Sequence, residues 1–287
     1  MQTCFGNKAI DLLFISLPMA KVVPYSALLK DLTAANITPA DTVMIHLSLK
    51  SIGWIVGGGD TLLKALLDIL LPEGTLCMMV GWEDYPYELP KWEEDRQQAY
   101  LQECPAFDPA SSRANIWEFG ILAEYIRTLP GDVHRSKHPT ASFVAIGKHA
   151  ARITADHSLQ YGFGLQSPLH HIHTLKGKIL HIGCPFDTVT MLHYAEDRCA
   201  VANKRTVRYQ MPILEHGHRR WVELEEFDTS EGIVAWQGED YFQLIIDTYI
   251  QDRQLHVHTI GQARTYVFDS QDLVTFATEW MEQHFRQ

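Results

Sequence analysis

The feature that most constrains the fold is a short β-branched apolar run, Thr42-Val43-Met44-Ile45-His46-Leu47, followed by Gly57-Gly58-Gly59-Asp60, a helical pattern to about Leu71, and a second apolar run from Thr75 to Val80. Apolar runs of this length suit strands buried on both faces in the middle of a parallel sheet. Two such strands joined by a helix form a right-handed crossover, and ligands of these units gather at the C-terminal ends of the strands. The alternation continues. Helices are expected from Ser26, as N-cap, to near Asn36, and over about 116–128, 147–155 and 188–200, with strands over 142–146 and 178–182. Arg205–Ile213 and Arg219–Phe227 flank the turn Glu215-His216-Gly217-His218 and read as an antiparallel hairpin. A last helix begins at Asp269, an N-cap with Asp272 three residues on. The expected fold is of the α/β class: a single αβα sandwich with a mostly parallel or mixed central sheet and an antiparallel hairpin in the C-terminal half. Residues 1–24 are expected to be a leader segment and 25–287 one domain.

Composition supports a large core without a covalent staple, with 46% hydrophobic against 21% charged residues. The 35 acidic and 24 basic side chains leave a formal charge of -11, which repels nucleic acid and anionic membrane and favours a cationic partner. The same charge is also what keeps an ordinary protein soluble. The five cysteines are odd in number and lack Cys-x-x-Cys spacing, which argues for a reducing, cytoplasmic setting and against a disulfide framework or a zinc knuckle. Cys184 reads as a small buried hydrophobe. The leader's apolar stretch from Leu12 to Ala20 falls short of the roughly 18 apolar residues that cross a bilayer, so no membrane partner is expected. Histidines cluster at His170-His171-Ile172-His173 and His256-Val257-His258, with no cysteine or carboxylate arrangement of a metal enzyme beside them, and no metal is expected.

Three constellations carry chemistry. His46-Leu47-Ser48-Leu49-Lys50-Ser51-Ile52-Gly53 sits where a buried strand meets a glycine-rich turn, where amides and hydroxyls can hold a phosphate or an amide-bearing tail. Arg135-Ser136-Lys137-His138-Pro139-Thr140-Ala141-Ser142 brings fixed cations to the start of a strand, as phosphate contact requires. Leu192-His193-Tyr194-Ala195-Glu196 places an imidazole and a carboxylate on one helix face, and a carboxylate beside histidine orients a general base. Read singly, each also fits a bland role: a generic loop, a solvated basic turn, a helix-surface pair. The segment from Gly81 to about Arg113 reads as one long loop without clean periodicity, and loops of that length in compact domains are usually functional.

Taken together, these segments resemble the aminoglycoside 3-N-acetyltransferase family. The pieces that carry the resemblance are His46-x-Ser48-Leu49-Lys50-x-Ile52-Gly53, Phe107-Asp108-Pro109, Arg135-Ser136-x-His138-Pro139-x-x-Ser142, Leu192-His193-Tyr194-Ala195-Glu196, Asn203-Lys204-Arg205, Phe227-Asp228 and Phe268-Asp269-x-Gln271-Asp272-Leu273-Val274. They run in the family's order from about Tyr25 to Gln287. The resemblance implies an αβα sandwich, acetyl-CoA as donor co-substrate, no metal, and an aminoglycoside antibiotic as acceptor. It implies that His46, Ser48, Leu49, Lys50 and Ser51 hold the donor together with Arg135, Ser136 and His138. It makes His193, polarised by Glu196, the base that acts on the 3-amino group of the 2-deoxystreptamine ring in a direct transfer. It implies an acidic, aromatic acceptor cleft of Trp82, Tyr87, Glu88, Asp108, Glu226 and Asp228. A homodimer is compatible with it. The competing readings are an acetyltransferase acting on another amine in biosynthesis and a catalytically silent CoA-binding protein; the pairing of His193 with Glu196 argues against the last.

Overall fold

The computed structural model describes residues 21–84 and 89–285. Most of the expected leader lies outside the described residues, as do Tyr87 and Glu88. The elements, in chain order, are β1 (Val22–Val23), α1 (Tyr25–Ala34), β2 (Thr42–Leu47), α2 (Leu49–Ile52), β3 (Trp54–Ile55), α3 (Gly58–Leu70), β4 (Thr75–Met79), α4 (Glu94–Glu103), α5 (Ile116–Phe119), α6 (Ile121–Arg127), β5 (Val133–Arg135), β6 (Phe143–Gly147), α7 (Ala150–Ala155), α8 (Pro168–Thr174), β7 (Lys178–Ile182), α9 (Met191–Arg198), β8 (Thr206–Glu215), β9 (His218–Phe227), α10 (Tyr241–Arg253), β10 (His258–Ile260), β11 (Ala263–Asp269) and α11 (Ser270–His284).

A seven-stranded sheet runs β10-β11-β7-β2-β4-β6-β5. Its middle is parallel, β2 pairing with β4 on one side and β7 on the other, and both flanks are antiparallel. The parallel centre is where the sequence is continuously apolar, because helices cover both faces there. Side chains alternate through the sheet. Val43 and Ile45 of β2 enter a core with Leu28 and Leu32 of α1, Leu62 and Leu66 of α3 and Leu122 of α6. Met44 enters the opposite core with Ile172 of α8, Leu192 of α9, Ile246 of α10 and Leu273 of α11. The result is the αβα sandwich read from the sequence.

Three local differences have physical causes. Helix α1 is capped by Pro24 in extended backbone, without a side-chain cap, so Ser26 lies inside it. The expected helix over 116–128 is two short helices, since Gly120 adopts φ +76° between them while Asn115 caps the first by accepting the Glu118 N–H at 3.2 Å. The segment after Gly81 contains α4, and it packs on the β8–β9 hairpin through a third apolar cluster built on Trp82, Phe107, Met211 and Leu224. Main-chain hydrogen bonds from Phe107 N–H to Pro212 O at 2.8 Å, and from Leu214 N–H to Phe107 O at 2.9 Å, fix that contact. The hairpin turns at His216 and Gly217, both in left-handed backbone, the geometry of a two-residue turn.

Candidate active site

A cavity of about 950 Å³ opens at the C-terminal ends of β2, β4 and β7, the place the crossover topology sets aside for a ligand. Its floor is the β2–α2 turn, with Ser48, Leu49 and Lys50. One wall is the broken helix around Trp117–Gly120, another the open end of the β8–β9 hairpin, and the last the segment 229–242. His193 of α9 looks into it.

The His193 side chain keeps 19% of its surface exposed, and its Nδ1 lies 2.6 Å from Oε2 of Glu196 one turn along. A carboxylate only accepts hydrogen bonds, so Nδ1 carries the proton and Nε2 is left as the acceptor. The ring is held from two sides, stacked on Phe163 at 4.9 Å and tilted against Phe242 at 4.8 Å. Glu196 is 1% exposed, and its other oxygen accepts a hydrogen bond from the Tyr241 hydroxyl. Glu118 opens onto the same cavity. The protein around it desolvates its carboxyl and pushes it above the usual range, an effect the nearby His193 partly reverses.

Of the expected donor residues, His46, Ser48, Leu49 and Lys50 line the cavity, and Lys50 is exposed there. Ser51 turns the other way. Its hydroxyl donates to Ser48 O at 2.7 Å and packs against Gly183, where a Cβ would come within 2.0 Å of Ser51 Oγ. The Nε2 of His46 is buried without a hydrogen-bond partner among the described residues, and desolvation with the neighbouring His181 lowers this imidazole to about 3. His46 is therefore a neutral wall residue, with no basicity to offer at neutral pH.

Arg135, Ser136 and His138 are placed behind the wall, outside the cavity lining. The Arg135 guanidinium donates to the carbonyls of Gly81, Ser112 and Pro109 and to Ser142 Oγ, and lies over the Phe107 ring. Burial lowers it to about 10, still a cation at neutral pH, and it clamps the segment after Gly81 onto the end of β5. Ser136 Oγ accepts the Phe143 N–H at 2.9 Å and lies 2.8 Å from His157 Nδ1. His138 Nδ1 accepts the Ala141 N–H at 3.0 Å; its Nε2 is 3.0 Å from Glu226 Oε1 but out of hydrogen-bond alignment.

Of the expected acceptor residues, Glu226 lines the cavity, buried, taking a hydrogen bond from Tyr209 OH at 3.1 Å. Asp228 faces the chain instead, accepting the N–H groups of Ser230 at 3.0 Å and Glu231 at 2.9 Å. Asp108 likewise ties its own turn, accepting from Ala110 N–H at 3.0 Å and Ser111 Oγ at 2.7 Å. Trp82 is buried on Phe107, beside a separate cavity of about 560 Å³ with Glu83, Asp84 and Arg113. The sequence reading missed Trp117, 85% exposed at the rim, with Glu118, Glu231, Glu239, Asp240 and Tyr241. The available signal was Asp240 before the apolar pattern of α10, an N-cap that accepts the Gln243 N–H at 3.0 Å.

Of the two histidine clusters, His170 Nδ1 is 2.8 Å from Tyr194 OH, and His256 and His258 contact each other at 4.8 Å. Among the described residues no group of three or more histidine, cysteine or carboxylate side chains is arranged to hold a metal ion, and no helix is long and apolar enough to cross a membrane.

A family model described as aminoglycoside 3-N-acetyltransferase matches residues 44–282. Aminoglycoside N(3)-acetyltransferase III of Pseudomonas aeruginosa is 40% identical over 253 residues, 88% of this chain and 91% of its own length. Among solved structures, AAC-IIIb in a binary complex with CoASH superposes with a TM-score of 0.86 at 35% identity, covering 92% of this chain and 98% of that one. AAC-VIa bound to sisomicin superposes with a TM-score of 0.84 at 36% identity, covering 91% and 98%.

Proposed function

The chain belongs to the aminoglycoside 3-N-acetyltransferase family, and on that premise we propose that it moves the acetyl group of acetyl-CoA onto the 3-amino group of the 2-deoxystreptamine ring of an aminoglycoside, conferring resistance to the drug. The observation that carries the reading is the His193–Glu196 pair, with only the imidazole reaching the cavity. The acceptor amine reaches the site as an ammonium group and must lose a proton before its lone pair can attack the thioester carbonyl. His193 Nε2 accepts that proton, while Glu196 stabilises the imidazolium that results. The C–N bond forms and the C–S bond breaks; of the two protons the ammonium nitrogen gives up in becoming an amide, one leaves to solvent and the other passes through His193 to the departing CoA thiolate. No covalent relay on the protein is needed.

In this reading His46, Ser48, Leu49 and Lys50 meet the donor, with Lys50 facing its phosphates, and Ser51 shapes their turn. Arg135, Ser136 and His138 support the site from behind. Acceptor ammonium groups face Glu118, Glu226, Glu231, Glu239 and Asp240, all on the cavity wall, with Tyr87 and Glu88 keeping their expected role. Trp117 offers a sugar face a flat apolar surface. Trp82, Asp108 and Asp228 act on the acceptor through the walls they brace. The catalytic unit is residues 25–287, working in the cytoplasm, where acetyl-CoA is made.

The test is release of free CoA thiol from acetyl-CoA with gentamicin, tobramycin, neomycin and apramycin in parallel. Release with at least one, and a product acetylated at the 3-amino group by NMR, is expected. Silence with all four removes the proposal.

A further inference from the structure

Glu196 is a buried carboxylate with two side-chain partners among the described residues, His193 on Oε2 and the Tyr241 hydroxyl on Oε1. Tyr241 comes from the first turn of α10, 45 residues away in sequence. Its hydroxyl also accepts the Ile233 N–H at 3.4 Å, from the middle of the segment that walls the acceptor end of the cavity. Gly232 makes this approach feasible. It adopts φ +75°, and a Cβ there would stand 2.8 Å from the Tyr241 ring and 3.0 Å from its oxygen.

We propose that Tyr241 is a positioning residue for acyl transfer: its hydroxyl fixes Glu196, and through it the His193 imidazole, and ties that pair to the wall where the acceptor binds. The inference rests on the reading of His193 as the base. Tyr241 is itself no acid or base in the step, because burial and the Glu196 charge push its phenol well above the usual tyrosine range, so it stays a hydrogen-bond donor. Without that donor, Oε1 is left buried and unpartnered, and the carboxylate is free to turn away from Nδ1. The ring is held independently, edge-on to Phe242 and Phe285, each at 5.2 Å, so Tyr241→Phe removes the hydroxyl and keeps the packing.

The experiment compares the wild type with Tyr241→Phe, Glu196→Ala, the double variant and His193→Ala, measuring kcat, KM for both substrates, and CoA affinity by calorimetry. A general base is typically worth about 10²–10⁴ in rate, and losing its positioning is expected to remove about tenfold of kcat, with both KM values and CoA affinity within about twofold of wild type. The hydroxyl acts only through the carboxylate, so in the Glu196→Ala background Tyr241→Phe should cause no further loss. A Tyr241→Phe kcat within about twofold of wild type beside a crippled His193→Ala overturns the role of Tyr241 and leaves the base in place. So does an equal loss with and without the Glu196 carboxyl. A near-normal His193→Ala overturns both readings at once.

Discussion

The Nδ1 of His193 and the Oε2 of Glu196 stand 2.6 Å apart on neighbouring turns of α9, and of the two side chains only the imidazole reaches the cavity. That asymmetry divides the labour between them. His193→Ala should lower kcat at least about a hundredfold with little change in substrate binding, since a base acts on the transition state rather than on ground-state affinity. Glu196→Gln should lose less, because the imidazole survives with a poorer orienter. Initial rates over a matrix of both substrates separate the terms, and a near-normal kcat for His193→Ala would sink the assignment.

A wall carrying Glu118, Glu226, Glu231, Glu239 and Asp240 should draw in a polycation by Coulomb attraction that salt weakens. KM for the aminoglycoside, with acetyl-CoA saturating, is expected to rise with ionic strength, and Glu118→Gln should raise it while flattening that dependence. A KM indifferent to salt in the wild type contradicts the acidic acceptor wall.

Lys50 and Arg135, both cations near the donor turn in the sequence reading, should behave differently. Lys50 is exposed on the cavity floor, and Lys50→Ala is expected to weaken acetyl-CoA about tenfold, the size of one charged hydrogen bond. The guanidinium of Arg135 is spent on the carbonyls of Gly81, Ser112 and Pro109. Arg135→Ala should therefore cost about 3 kcal/mol of stability, and calorimetry on the folded fraction should find donor affinity nearly unchanged. Selective loss of donor affinity in Arg135→Ala, with unfolding by urea unaltered, would return that residue to the donor site.

Buried histidines give the chain a defined acid sensitivity. Burial lowers His46 to about 3 and His181 to about 4, while unfolded histidine titrates near 6.5. Between those values the unfolded chain binds protons that the folded one refuses, so stability is full above about pH 6.5 and falls as the pH drops toward 4. His157, also pushed well down by burial, adds to the same slope. Urea midpoints measured from pH 7.5 to 4.5 should decline, and His46→Asn should lessen the decline. A midpoint constant across that range would refute the account.

The sequence showed most clearly what is local. The β2–α3–β4 crossover, the hairpin and the cap at Asp269 each follow from contiguous residues, and the spacing of His193 and Glu196 is a property of one helix. What it hid depends on chain returning from afar. Tyr241 meets Glu196 only because the first turn of α10 sends its side chains into the same core as α9, and Glu118 meets the cavity only because Gly120 breaks a helix that periodicity reads as continuous. Arg135 illustrates the opposite error. A cation before a strand suits a phosphate, but the carbonyls that occupy it come from residues 23 to 54 positions earlier, which no pattern around Arg135 reveals.

The β8–β9 hairpin and the segment after Gly81 have an apolar cluster of their own, apart from the two cores that flank the sheet. Contiguous clusters of this kind open as cooperative units with their own, lower free energy. Amide hydrogens of the hairpin should accordingly exchange with solvent faster than those of β2, β4 and β7. Tyr209 and Glu226 ride on that hairpin while His193 belongs to the main body, so opening of the hairpin side of the cavity is expected to leave His193 in place. Substitutions that loosen Trp82, Phe107 or Met211 should therefore alter which drugs gain entry while leaving melting of the whole molecule nearly where it was, a division that lets antibiotic range drift while the chemistry stays intact.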